Sequence, residues 1–269
     1  MLGHFAINVL DRSTIQTFLV CAVVAMATGC TSAVPEFPSA RATSQPLIDP
    51  GRAVTVRVVT VRAITVRATG CGLADRIAAG FPVGPSRTVT AAHTLRGTTA
   101  ISVDGTLAKL VWIDHRTDIA ILEYPTDGDA VRFAKPSLGR GVLIRRARSA
   151  ASAESGSAGS GSAGSGSAGS VRAAPLGLVV SKVAQINIEE PVDHTTYHRK
   201  GFVAALESGT VSVGDSGSPV VNNEGAIIGM VFATDTASSQ TVYGVSSSEI
   251  IPALKAAGSA AVSSGQCLD

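Results

Sequence analysis

From Cys71 onward, short apolar runs alternate with clusters of Gly, Pro, Asp and Asn. RTVTAAH, AISVDG, AKLVWID, IAILEYP, GVLIRRA, LGLVVSKVAQI, SPVVNNEG and AIIGMVFAT follow in turn. Runs of roughly four to eight residues, rich in Val and Ile and bounded by turn formers, predict strands. Many such runs at close spacing predict an all-β sandwich or barrel. VNNEGAIIG predicts a hairpin that turns at Asn222–Gly225. One late segment switches to helical spacing. SSSEIIPALKAAG carries a capping box at Ser246/Glu249, apolar positions Ile250, Leu254 and Ala257, and a stop at Gly258. Pro252 falls at the edge of the first turn, where the missing N–H is tolerable.

Two repeats interrupt this pattern. VTVRVVTVRAITVRA (residues 54–68) sets Thr-Val-Arg at 55–57, 60–62 and 65–67, a period of five. Five matches neither the strand period of two nor the helical 3.6, and in an extended chain it sends successive arginines to opposite faces. This stretch therefore predicts an irregular or weakly paired extended segment with Arg57, Arg62 and Arg67 solvated. The second repeat, SGSAGSGSAGSGSAGS (residues 155–170), has no side chain able to build a core. Its composition is that of a flexible linker.

The first residues read as a targeting segment. IQTFLVCAVVAMATG (residues 15–29) is a short apolar run preceded by Arg12, too short for a membrane span and suited to an export signal. AMA (residues 25–27) offers a cleavage site that would release a secreted protein. ATGC (residues 27–30) resembles a lipoprotein box, in which Cys30 would be lipidated and residues 31–50 would form a tether. Both routes stay open. Cys21 and Cys30 belong to this region, which leaves Cys71 and Cys267 as a natural disulfide in an oxidising compartment.

Composition narrows the class. Hydrophobic content of 45% supports a full core, and 4% aromatics suits many short strands. A net charge of +2, from 22 basic and 20 acidic residues, leaves no electrostatic footprint for nucleic acid. His194 and His198, spaced by four, have no evident third ligand in a loop-like context, so no metal and no cofactor is expected.

The candidate chemistry is local and specific. In VGDSGSPVV (residues 213–221) Ser216 sits between glycines on a tight turn leading into an apolar strand. Gly214 leaves room for a substrate carbonyl, and the N–H groups of Gly214 and Ser216 could converge as an oxyanion hole. A serine hydroxyl is a weak nucleophile without a base. TVTAAHTL supplies His93 at the end of an apolar strand, after two small alanines. DHRTDIAILEY supplies Asp118 immediately before the apolar run Ile119–Leu122, with Asp114 as a competitor before a polar stretch. A carboxylate there can fix the imidazole tautomer and stabilise the imidazolium.

His, Asp and Ser in this order, within TAAH, DIAIL and GDSGSP, resemble the trypsin/chymotrypsin-like serine peptidases, particularly small exported bacterial members. AAGFPV (residues 78–83) and GMVFAT (residues 229–234) extend the resemblance over roughly Cys71 to Cys267. It implies two six-stranded antiparallel barrels with a short C-terminal helix. It also implies His93 as general base and acid, Asp118 as orienting carboxylate, Ser216 as nucleophile and Gly214 as oxyanion donor. The terminal SSGQC resembles envelope-associated members whose last Cys bridges back ahead of the first barrel.

The implied layout has a signal at 1–30, a tether and repeat segment at 31–70, and a first barrel at 71–135. A second barrel at 136–247 carries a disordered insertion at 149–170, and a helix and disulfide tail occupy 248–269. Thr210 stands where trypsin-like members hold the base of the primary pocket, so Lys or Arg selectivity is not expected. Phe232, Ala233 and Thr234 occupy the stretch that binds substrate backbone, and the lean is toward small or apolar P1 side chains. No IVGG-like start is present, so Asp215 needs another partner. The expectation is a monomeric secreted or envelope-bound serine endopeptidase acting on protein or peptide substrates. The competing class is a catalytically silent peptide-binding scaffold on the same fold.

Overall fold

In a computed structural model of the chain, the described residues are 7–8, 61–70, 73–126, 128–147, 174–189, 195–235 and 240–267. They form two seven-stranded antiparallel sheets and one α-helix. The first sheet uses β2 (Ile64–Gly70), β3 (Leu73–Gly84), β4 (Arg87–Ala91), β5 (Ala100–Val103), β6 (Thr106–Leu107), β7 (Lys109–Asp114) and β8 (Ile119–Glu123). Its order is β6-β5-β2-β3-β4-β8-β7, an open half-barrel. The second uses β1 (Ile7–Asn8), β9 (Gly141–Ile144), β10 (Leu176–Glu189), β11 (Thr196–Leu206), β12 (Pro219–Asn222), β13 (Ile227–Thr234) and β14 (Thr241–Ser246). Its order is β1-β10-β11-β14-β13-β12-β9, and an additional β9–β10 pairing closes β9 to β14 into a ring.

That closing pair locates the Ser/Gly/Ala tract. Leu176 faces Ile144 and Val179 faces Gly141 across β9 and β10, so the tract connects neighbouring strands of one sheet and separates no domains. The tract itself, like residues 1–6, 9–60 and Cys71, lies outside the described residues.

Residue patterns account for the elements. β8 reads as a continuous apolar run because both its faces are buried. Ile119 and Ile121 enter the core between the sheets, whereas Ala120 and Leu122 enter the core of the first sheet. The core between the sheets joins Phe81, Val89, Ile119 and Ile121 to Ile186, Val221, Ile227, Met230 and Val245, with Ile250 and Ala253 of the helix. The β12–β13 hairpin turns where expected: Asn222 accepts from Gly225 N at 2.9 Å, and Gly225 adopts φ 73°.

Two expectations need correction. The third Thr-Val-Arg copy is not irregular: β2 is paired on both sides, with Val66 opposite Ala78 of β3 and Val103 of β5. Within one copy, Ile64, Val66 and Ala68 alternate inward as a half-buried strand requires, and the five-residue period breaks that alternation only between copies. The first sheet therefore starts ahead of position 71. Arg67 is exposed and paired with Asp75 at 2.7 Å, whereas Arg57 lies outside the described residues. The capping box forms only by half. In α1 (Ser247–Ala256), Ser246 Oγ accepts from Ser248 N at 3.2 Å, but Glu249 accepts from Lys200 N at 2.9 Å, tying the helix to β11.

After α1 the chain returns to the first sheet. Arg87 donates to the Gly258 carbonyl at 2.8 Å, Val262 N to the Leu110 carbonyl at 2.9 Å, and Gly97 N to the Ser264 carbonyl at 3.3 Å. Ser264 Oγ donates to the Thr98 carbonyl at 2.9 Å. The tail thus meets β7, the edge strand of the half-barrel, at Leu110 and then reaches residues 97–98.

Candidate active site

His93 sits in a 3₁₀ turn (Ala92–Leu95) at the end of β4. The two alanines before it are fully buried, and their small size lets the Asp118 segment close onto the turn. Ala92 N donates to the Asp118 carbonyl at 3.1 Å, and His93 N donates to Asp118 Oδ1 at 2.8 Å. His93 Nδ1 lies 2.9 Å from Asp118 Oδ2 and 3.1 Å from Oδ1. Backbone and side-chain bonds from residues 25 apart in sequence thus fix one imidazole orientation. Asp118 holds φ 60°, a conformation that costs a non-glycine residue about 1–3 kcal/mol and is tolerated where the surroundings fix it. Asp114, the competing carboxylate, closes its own turn instead: it accepts from Arg116 N at 2.9 Å and Thr117 Oγ at 3.0 Å.

The electrostatics follow from burial. Burial pushes the Asp118 carboxyl up, but His93, Arg199 and the His93 N–H together hold it below the usual carboxylate range. For His93, burial pushes down, the Asp118 charge and hydrogen bond push up, and Arg199 and Arg76 pull back. The net position is above the ordinary imidazole value. The His93 side chain is 33% exposed, whereas Asp118 is buried beneath it.

Ser216 lies on the loop between β11 and β12, half-buried and seated against the first sheet. Ala79 N of β3 donates to the Ser216 carbonyl at 2.8 Å, and Thr90 Oγ of β4 donates to the Ala79 carbonyl at 2.7 Å. Gly217 has φ 85°, and a Cβ there would run into the Ala79 carbonyl oxygen, so only glycine fits. The serine loop is therefore fastened to β3, the strand that pairs with the one leading into His93. Gly214 has φ 98° and lies beside Ile77. Among the described residues, none accepts from the N–H of Gly214 or Ser216.

Asp215, whose partner the sequence did not reveal, is buried against Arg146 just past β9. Arg146 Nε donates to Oδ1 at 3.0 Å and Nη2 lies 2.9 Å from Oδ2, a two-pronged pair. Ser212 N adds a bond to Oδ2 at 2.8 Å. Arg199 of β11 was also missed. It is 3% exposed, with Nη1 3.8 Å from Asp118 Oδ2. A polar RR at the end of the apolar GVLIRRA run was a signal for the first; YHRKG offered none for the second.

The remaining candidates separate. Thr210 is exposed on the Ser216 loop, and Ala233 and Thr234 are half-buried on β13. Phe232 is buried at 6% exposure, its ring under the Arg199 guanidinium at 5.2 Å. Its backbone lies at a bulge where β13 slips register against β14, freeing main-chain groups from the ladder. His198 bonds Asn187 across β10 and β11 at 2.6 Å, and His194 lies outside the described residues.

Two antiparallel sheets, one presenting a His–Asp pair and the other a glycine-flanked serine, define a two-barrel, chymotrypsin-like architecture. Residues 78–230 match the trypsin-like peptidase domain, and the chain belongs to that family. Among solved structures it resembles the active form of the Rv3671c protease of M. tuberculosis, with TM-score 0.62 and 20% identity over 78% of this chain and 87% of that one. It also resembles the HtrA-type protease AlgW with tripeptide, with TM-score 0.53 and 14% identity over 74% of this chain and 60% of that one. No curated protein sequence matches it.

Proposed function

We propose that this chain is an exported serine endopeptidase that cleaves through an acyl-enzyme. The observation that carries the reading is the His93 ring clamped by Asp118 and one-third exposed, beside a serine loop bonded to the adjoining strand. Ser216 Oγ attacks the scissile carbonyl while His93 Nε2 takes its proton; Asp118 stabilises the imidazolium. The negative oxygen of the tetrahedral intermediate receives the N–H groups of Gly214 and Ser216. His93 then protonates the leaving amine, and water, deprotonated by the same imidazole, releases the acyl group.

The Arg146–Asp215 pair supports a loop that is held in place without a newly released N-terminus. The uncharged Thr210 fits small or apolar P1 side chains, and the Phe232 bulge supplies main-chain groups for an extended substrate. The tail supports the proposed Cys71–Cys267 bridge. It runs against residues 97–98, and Thr99 N donates to the Thr69 carbonyl at 2.9 Å, two residues ahead of Cys71. Export by a cleaved signal, or anchoring through a lipidated Cys30, completes the reading.

A fluorophosphonate probe tests it. The folded wild-type protein labels and Ser216→Ala does not; a folded wild type that stays unlabelled refutes the peptidase reading. The labelling rate falls as pH drops through the His93 pKa, because a protonated imidazole cannot act as base. Since the Asp118 pairing lifts that pKa above the ordinary value, half-maximal labelling falls above about pH 6.5.

A further inference from the structure

The buried cation beside the His–Asp pair has no part in the steps above. Arg199 belongs to the second sheet, in register with Ile186 of β10, yet its guanidinium reaches the acid of the first sheet. Its Nη1 lies 3.8 Å from Asp118 Oδ2, the oxygen that also faces His93 Nδ1 at 2.9 Å. Its Nη2 donates to the His115 carbonyl at 3.4 Å, in the turn that delivers Asp118. The Phe232 ring underlies its guanidinium carbon at 5.2 Å, a cation–π distance. Taking a guanidinium out of water costs several kcal/mol unless its partners offset the loss. Here the partners are the Asp118 carboxylate, the His115 carbonyl and an aromatic face.

We propose that Arg199 is a positioning residue through which the second sheet holds the Asp118 carboxylate in line with His93 and frees the imidazole of its proton in the resting site. The inference rests on the serine-peptidase reading and deepens it. Asp118 alone would over-stabilise the imidazolium, and a base that stays protonated cannot accept the Ser216 proton. A fixed cation beside the carboxylate offsets part of its charge and repels a positive ring. Arg76, whose guanidinium is tied to the Arg96 carbonyl at 2.6 Å, repels the ring in the same sense from β3. Asp114, at the end of β7 before the same turn, is bonded within its own loop. The second sheet thus tunes the first: β11 carries a charge whose effect is felt on His93.

Three substitutions and two measurements test this. Arg199→Gln and Arg199→Met remove the charge, Met keeping apolar contact with Phe232. Arg199→Lys keeps the charge, but a single ammonium cannot span Asp118 and the His115 carbonyl as the guanidinium fork does. NMR of the His93 imidazole reads its titration directly, and fluorophosphonate labelling reads the base at work. The titration midpoint is expected lowest in the wild type, higher in Arg199→Lys and highest in the neutral variants. Labelling at neutral pH falls about tenfold in the neutral variants and recovers as pH is raised. A merely structural role would instead lower labelling equally at every pH. If the neutral variants do not fold, Arg199→Lys decides through the His93 Nδ1–H proton resonance. A signal lost or shifted from wild type shows the Asp118 carboxylate misaligned and supports the positioning role, and an unshifted signal with an unchanged midpoint overturns it. Wild type that labels, with a folded Arg199→Gln of unchanged midpoint, overturns this inference alone. Wild type that fails to label refutes the peptidase reading, while the NMR titration still judges the coupling.

Discussion

The two sheets hold their catalytic candidates by different means. The second closes on itself through β9 and β10, and its serine loop is pinned from within by Arg146, which comes from the same sheet. The first is an open half-barrel whose His–Asp pair leans on Arg199 from the second sheet, and whose β7 and residues 97–98 are bonded by the returning tail. The closed ring adds an internal ion pair to a loop that is also seated on β3 of the first sheet. An open sheet needs outside contacts to fix a strained aspartate. Damage to the serine loop should therefore register as a loss independent of pH, whereas damage to the His–Asp support should move the pH profile.

The largest departure is expected from Arg146→Gln. It leaves Asp215 buried without its cation, at a cost of about 3 kcal/mol, and loosens the serine loop. Labelling by fluorophosphonate should fall about a hundredfold, by the same factor at every pH. A pH-dependent loss would break the comparison. Gly217→Ala comes next. A side chain at φ 85°, aimed at the Ala79 carbonyl, should destabilise the fold by about 2 kcal/mol and lower the melting temperature by roughly 4–8 °C. An unchanged melting curve would mean that the serine loop is not fastened to β3 as described. The smallest effect belongs to deletion of residues 155–170. The tract joins neighbouring strands, and each doubling of a loop costs only about 0.6 kcal/mol, so labelling should stay within about twofold of wild type.

What the sequence disclosed and what it hid divide by range. The surroundings of His93, Asp118 and Ser216 stand out because their backbone demands are local: small alanines before the histidine, glycines around the serine, an apolar strand after the aspartate. The hairpin at Asn222–Gly225 was legible for the same reason. Arg146 and Arg199 were not, because their partners lie far along the chain; Arg146 and Asp215 are 69 residues apart, and no local spacing announces such a pair. β2 was obscured by its repeat. A period of five drew the eye across copies, when the alternation within Ile64, Val66 and Ala68 was the pattern that burial obeys. Glu249 shows the reverse: a local capping signature was present, but a tertiary partner, Lys200 N, took the carboxylate.

The tail that crosses back to the first sheet also sets an order of events. Val262 and Ser264 bond to Leu110 and Gly97, more than half the chain upstream, so the half-barrel is completed by residues made long after its own strands. Such long-range closure slows folding, since distant segments must meet before the contact rewards them. A chain translated only as far as β14 still lacks these contacts to the half-barrel. The half-barrel that carries His93 and Asp118 is therefore completed only after the ring that carries Ser216.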